Sequence, residues 1–365
     1  MLQDTKYYNA LNQIPQIGAV RFHKLLNYFP NMETAWQAQA QDLVKAGIES
    51  NISDLIVTKR SQIDPDAEMQ KLLKEDVKIL IFGEENYPKL LAEIYNPPMV
   101  LYGRGNLEVL KHEYIIAVVG TRKISNYGKQ VTPIIVGDLA KAGVAIVSGL
   151  ALGVDSIAHR ATIEANGKTI AVLGSGIDDN SIYPASNRTI AKSIIDSGGA
   201  IISELPIYSL PLKIHFPYRN RIISGLALGT VVIEADVTSG ALITAKAALE
   251  HNRQVFAVPG SVFNKVSQGP NNLLKMGAKP VTSAADILDE LNLQSVTSEL
   301  KARKIIADSP AEETILKLLS NEPTHINKLI KESGLTSQEI SSALTMMEIK
   351  GKVRNLGAMQ YVISR

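Results

Sequence analysis

The chain has 365 residues, 45% of them hydrophobic and 20% charged, and its formal net charge is only +2. That length implies two or three domains, and that balance excludes both extensive disorder and a uniformly basic surface that coats itself in nucleic acid. There is no cysteine, which excludes disulfides, Cys-ligated zinc and thiol catalysis.

Residues 1–8 are polar, without an apolar signal core. The most apolar region, 134–154, is broken by Asp138, Lys141 and several glycines. No membrane span is therefore expected, and the expected compartment is the cytoplasm. Residues 1–75 read as a helical domain of SAM or helix-hairpin-helix type. Tyr8, Leu11, Val20, Leu25, Leu26 and Phe29 recur at helix-like spacings, punctuated by Gly18, Pro30 and Gly47. The segment Ile14-Pro-Gln-Ile-Gly-Ala-Val-Arg21 resembles a helix-hairpin-helix turn, but Val20 stands where the second glycine belongs. A helical packing module is the favoured reading.

Residues 76–291 alternate. Strands are expected at 78–82, toward 102, and at 115–119, 145–147, 169–173, 200–203, 230–234 and 254–258. Helices are expected at 131–142, 154–166, 187–197, 219–228 and 241–251, with short ones at 273–276 and 284–291. Strands apolar on both faces that alternate with amphipathic helices indicate a parallel sheet covered on both sides. The fold class is α/β, an extended Rossmann-like sheet that binds ligands beyond its strand C-termini. Residues 292–309 are polar and read as a linker. Residues 310–365 resemble a winged helix-turn-helix, with three helices and a two-stranded wing. The third helix starts Ser337-Gln-Glu339 without a cation, which disfavours duplex reading.

The loops after the strands carry the chemistry. Gly120-Thr121-Arg122 combines a close-approach glycine, a hydroxyl and a guanidinium able to grip phosphate. Ser148-Gly149 and Ser239-Gly240 each precede a helix, whose N-terminal N–H groups attract anions. Gly174-Ser-Gly176 follows another strand. Loops from one parallel sheet share an edge, and a line of phosphate-sized sites suits a polymer better than a mononucleotide. The bland alternative is that such glycines and caps serve strand–helix junctions in any fold of this class. His159 reads as a buried, hydrogen-bonded histidine. Glu204 and Glu234 are the carboxylates nearest the edge, but no nucleophile or metal cluster accompanies them, so catalytic and metal residues are set at none. Neither a full GxGxxG nor a Walker lysine motif is present, so no cofactor is expected.

Between Glu204 and Glu234 no acid occurs, while Lys213, Arg219 and Arg221 are basic and Phe216 and Tyr218 interleave with them. Cations neutralise phosphate and flat rings accept bases. The equally open alternative is a solvated charged loop followed by a helix whose Ile222, Ile223 and Leu226 are core.

Taken together, these loops resemble the DNA-processing protein A (DprA, or Smf) family. The resemblance runs through Gly120-Thr-Arg122, Ser148-Gly-Leu-Ala151, Asp155, His159, Leu173-Gly-Ser-Gly176, Tyr183-Pro184, Phe216-Pro-Tyr-Arg-Asn-Arg221, Ser239-Gly-Ala-Leu-Ile-Thr-Ala245 and Pro259-Gly260. It implies a non-enzymatic protein of natural transformation that binds and shields incoming single-stranded DNA and loads the RecA recombinase. It also implies a homodimer joined through the Rossmann-like domain, with the dimer and RecA surface near residues 273–291. By the same resemblance Arg122 grips phosphate, Ser148-Gly149 and Ser239-Gly240 offer N–H groups, Lys213 contacts the strand and Phe216 a base. Arg219, Asn220 and Arg221 order the pocket or reach phosphates. Ala185 departs from the basic residue of many relatives, a contact that Arg188 could supply. The alternative is a nucleotide-processing enzyme of phosphoribohydrolase type, whose Pro-Gly-Gly-x-Gly-Thr loop is only approached by Pro259-Gly260-Ser261-Val262.

Overall fold

A computed structural model describes residues 2–293, 308–319, 323–357 and 359–363, in two units, Met1–Val296 and Thr297–Arg365. In the first, nine strands form one sheet. They are β1 (Lys78–Ile81), β2 (Val100–Gly105), β3 (Ile115–Val119), β4 (Ala145–Ser148), β5 (Thr169–Val172), β6 (Ala200–Ser203), β7 (Gly229–Val232), β8 (Gln254–Ala257) and β9 (Lys279–Pro280). Their spatial order is β1-β2-β6-β5-β4-β3-β7-β8-β9. The strands from β6 to β9 in that order run parallel, as their two-faced apolarity requires.

The expected parallel sheet is present, with two antiparallel strands added at one edge. β2 lies antiparallel to β6, with Tyr102 opposite Ser203, and β1 lies antiparallel to β2. An apolar run carries no mark of direction, and antiparallel neighbours need no helical crossover. β3 lies between β4 and β7, so the chain order reverses there. The crevice beyond the C-terminal end of β3 is thus the switch point where ligands of such sheets bind.

Alternate residues of β5 and β6 enter two cores. Ala171 and Ile201 join one, with Leu11, Phe22, Leu25 and Trp36 from the N-terminal helices. Ile170, Val172 and Ile202 join the other, with Ile222, Ile223 and Leu226. The N-terminal helices therefore cover one face of the sheet. Asn12 donates to the Glu204 carbonyl at 3.1 Å, and the buried Tyr102 hydroxyl donates to Asn9 at 2.8 Å. Residue 75 marks a change in secondary structure, whereas the packing runs across it. In the turn that resembles a helix-hairpin-helix, Arg21 donates to the Gln16 carbonyl at 2.7 Å and pairs with Glu49 at 2.9 Å. Its cation is used inside the module.

The helix expected from Arg219 begins at His215 and runs to Gly225. Pro217 falls in its first turn, where a backbone N–H has no partner in any case, so the proline starts the helix instead of preceding it.

In the second unit the helices Pro310–Leu318, Ile326–Ser333 and Ser337–Ile349 enclose Ile315, Leu329, Ile340, Leu344 and Met347. The wing has three strands where two were expected: β10 (Thr324–His325) pairs with β12 (Gln360–Ile363), which pairs with β11 (Val353–Asn355). Glu339 is a helix cap, since its carboxylate accepts from the Thr336 N–H at 2.8 Å in a capping box. Lys350 and Lys352 pair with Asp308 and the buried Glu312 at 2.6–3.5 Å. Residues 294–307, most of the expected linker, lie outside the described residues.

Candidate nucleic-acid interface

The loop after β3 lies on the switch point. Gly120 is required there because a Cβ would come within 2.4 Å of Val154. The Thr121 N–H donates to the Glu234 carbonyl at 2.6 Å, and its hydroxyl oxygen accepts from the Lys123 N–H at 3.1 Å. This bracing turns Arg122 outward. Arg122 is exposed, and its guanidinium carbon lies 5.6 Å from the centre of the Phe216 ring.

Phe216 occupies the first turn of the helix His215–Gly225 and lies across Gly174, where a Cβ would approach its ring within 2.9 Å. The Tyr183 ring stands 5.8 Å from it, tilted by 51°. Tyr183 is half exposed and follows the same β5 edge, with a cis peptide bond to Pro184. In the sequence Tyr183 has no role beyond the family resemblance; its only mark there is an aromatic followed by proline after the Gly174-Ser-Gly176 loop. Arg122, Gly149, Ala151, Leu152, Tyr183, Phe216 and Arg219 line one pocket of about 50 Å³. Small-molecule sites span about 300–1,000 Å³. A ring edge or a phosphate fits, and a nucleotide does not. Lys213 is exposed two residues before the helix.

Beneath this rim the expected anion sites are filled from within. The Ser148 hydroxyl donates to the Val118 carbonyl at 2.7 Å. The Gly149 N–H, expected to face phosphate, donates to the buried Asp155 carboxylate at 3.2 Å, and the Ala151 N–H does so at 3.3 Å. Asp155 sits in the first turn of its helix and takes the place an external anion would have. Burial pushes its pKa up, against the opposing pull of Arg219. The third loop is closed too. Gly174 admits the Phe216 ring, and a Cβ on Gly176 would meet the Tyr208 backbone at 2.7 Å. The fourth stays open. Ser239 caps its helix through the Ala241 N–H, and Gly240 is exposed with no atom near its Cβ position.

Arg219 is buried and donates to the carbonyls of Gly149, at 2.9 Å, and of Val172. Burial pulls its pKa down to about 10, so it stays charged at neutral pH. Asn220 donates to the Gly240 carbonyl at 3.2 Å. Arg221 donates from Nη2 to both Glu204 oxygens at 2.6 and 2.8 Å, and its guanidinium lies 4.2 Å from the Tyr218 ring centre. All three residues thus have partners within the protein. Arg188 donates to the Asn180 carbonyl at 2.5 Å.

The carboxylates are committed as well. Glu234 is buried and accepts from the Ser125 N–H at 2.9 Å and from the Ser125 hydroxyl, capping the helix Asn126–Lys141. Neither Glu234 nor Glu204 lines the pocket. His159 is buried, shares a 2.7 Å hydrogen bond with the Thr169 hydroxyl, and is pulled down to about 3 by burial and then by Arg219. Among the described residues no group of three His, Asp or Glu could hold a metal, and no helix is long and apolar enough to cross a membrane.

Two family models match the chain: DNA recombination-mediator protein A over residues 78–292, and the DprA winged helix domain over residues 299–359. Protein Smf of Synechocystis sp. is 33% identical over 97% of this chain and 98% of its own length. DNA processing protein DprA of Streptococcus pneumoniae is 44% identical over 63% of this chain and 79% of its own. The X-ray structure of the Streptococcus pneumoniae DNA processing protein A superposes with a TM-score of 0.68 at 36% identity, covering 78% of this chain and 97% of that one. A structure concerned with the single-stranded DNA binding mode of DNA processing protein A from Helicobacter pylori superposes with a TM-score of 0.54 at 32% identity, covering 60% and 96%.

Proposed function

The chain belongs to the DNA recombination-mediator protein A family, and from that premise we propose that it binds single-stranded DNA along the C-terminal edge of its sheet. The observation that carries the reading is the rim: Arg122 stacked at Phe216, Tyr183 beside it, and Lys213 in water, with no carboxylate among them. Exposed rings accept unpaired bases, which a duplex keeps stacked inside, and the cations take the phosphates. Gly240 offers a helix N-terminal N–H further along the edge. The Helicobacter pylori relative has a described single-stranded DNA binding mode, which supports carrying that ligand over.

The finer reading is a non-enzymatic protein of DNA uptake, located in the cytoplasm, that shields the strand and passes it to RecA recombinase. It works as a homodimer through this unit, with the surface near residues 273–291 as the assembly face; Met276 there is 77% exposed. The engagement of Glu204 and Glu234 elsewhere supports binding over catalysis. The winged-helix unit takes a protein-interaction or packing role, in keeping with its paired lysines.

Anisotropy titrations of single strand and duplex at several salt concentrations test this. Wild type prefers the single strand. Arg122→Ala loses about 1.5–3 kcal/mol, and its salt slope falls by about 0.7. Equal affinity for the two nucleic acids, or no loss in Arg122→Ala, overturns the reading.

A further inference from the structure

The connection leaving β8 turns sharply at residues 261–264, where the Asn264 N–H donates to the Ser261 carbonyl at 3.0 Å. Its two corners are Val262 and Phe263, 75% and 97% exposed. Turn corners usually go to Gly, Pro, Asn or Asp, which suit the bend and the water around it. A phenyl ring held almost wholly in solvent gains nothing from folding.

The turn is nonetheless firmly built. Asn271 clamps its base, accepting from the Gly260 N–H at 3.3 Å and donating to the Gly260 carbonyl at 3.0 Å. The Val266 carbonyl then accepts from the Ala235 N–H at 2.7 Å, tying the turn to the loop after β7 that leads to Gly240. Phe263 is thereby held on the same sheet edge as Gly240, one strand further from Phe216. Lys265 beside it is exposed. Asp236, which also feels the Lys265 charge, accepts from the Thr238 N–H and hydroxyl at 2.8 Å.

We infer that Phe263 is a second base-stacking platform, for a later nucleotide of the strand that Arg122 and Phe216 engage. The inference rests on the single-strand reading and extends its track to the far end of the edge. An exposed ring stacks any base, and Lys265 supplies the counter-charge for a phosphate. Phe216 packs at the end of β5 and Phe263 follows β8, four strand spacings away in the order β5-β4-β3-β7-β8. At about 4.8 Å per spacing the platforms lie roughly 20 Å apart. Only a strand long enough to reach both uses the second.

The full chain is titrated with oligothymidylates of about 4 to 16 nucleotides, the range of such sites. Phe216→Ala weakens binding at every length. Phe263→Ala matches wild type on the shortest strand and weakens the longest by about 5- to 140-fold, the span of a lost base stack. Phe263→Trp keeps the affinity, and the long strand quenches its fluorescence while the short one does not; the native Trp36 is buried and gives a separate signal. Should Phe263→Ala follow wild type at every length while Phe216→Ala weakens binding, the second platform is overturned and the single-strand reading stands. A change of sedimentation in Phe263→Ala without loss of affinity overturns it in favour of a protein contact. No binding by wild type removes both.

Discussion

The rim of the sheet edge keeps Arg122 and Lys213 in water, whereas the floor beneath it buries Arg219 and ties Arg221 to Glu204. Arg122 and Arg219 line one pocket and carry the same group. Their tasks differ because of what surrounds them. Arg219 meets two carbonyls through Nη1 and feels the Asp155 charge, so that nitrogen is spent within the protein. Arg122 meets one ring face and solvent, so its donors remain for a ligand. A basic stretch in a sequence therefore counts cations without saying which are available. Here helix register decides: Arg219 falls on the face toward the sheet with Ile222 and Ile223.

The largest effect that would break this division is expected at Arg219. Arg219→Ala leaves Asp155 buried without its partner and two carbonyls short of a donor, and should destabilise the first unit by about 3–5 kcal/mol. Arg219→Lys should recover little, because a point charge cannot serve two carbonyls as the guanidinium does. Arg122→Ala should leave stability within about 0.5 kcal/mol of wild type. Denaturant midpoints measure all three. A wild-type midpoint in Arg219→Ala combined with lost DNA binding would move Arg219 from the floor to the rim.

The division was only partly legible beforehand. Two-faced apolar runs gave away β3 to β8, and the loops after them placed Arg122 and Phe216 on one edge. The fate of each backbone donor was harder to see. Gly149 and Ser239-Gly240 look alike as glycines before helices. The difference is Asp155, six residues after Gly149, which lies in the first turn of its helix and fills the site. Gly240 has no acid so placed, and Asp236 upstream turns to Thr238. The Arg221–Glu204 pair joins residues on different elements, and the reversed direction of β2 comes from tertiary pairing. Neither has a local signature.

A smaller effect concerns pH. His159 shares the floor with Arg219, and burial holds its folded pKa at about 3 against about 6.5 unfolded. Between those values the unfolded chain binds the proton and the folded one does not, so stability is complete above about pH 6.5 and falls as pH drops. From about pH 6.5 to pH 5 the loss is about 2 kcal/mol. Asp155, whose pKa burial raises, gains stability on acidification through its own folded pKa and acts in the opposite sense. The comparison is therefore between wild type and His159→Gln, which should show a shallower decline over that window. Parallel profiles for the two proteins would mean that the floor admits charge.

The smallest effect separates the two rim cations from each other. Lys213 is a flexible point charge in water, while Arg122 is braced by the Thr121 turn and stacked at Phe216. Counterion release depends on how many phosphates are neutralised and is indifferent to geometry. Lys213→Ala and Arg122→Ala should therefore lower the salt slope for single-strand binding equally, by about 0.7 each. Affinity depends on geometry as well, so Lys213→Ala should cost only about 1 kcal/mol or less, below the loss in Arg122→Ala. Equal slopes with unequal losses would show that both cations reach phosphate and that bracing makes the difference. A loss in Lys213→Ala with an unchanged slope would instead place Lys213 against a base or the protein, and leave Arg122 as the rim's phosphate contact.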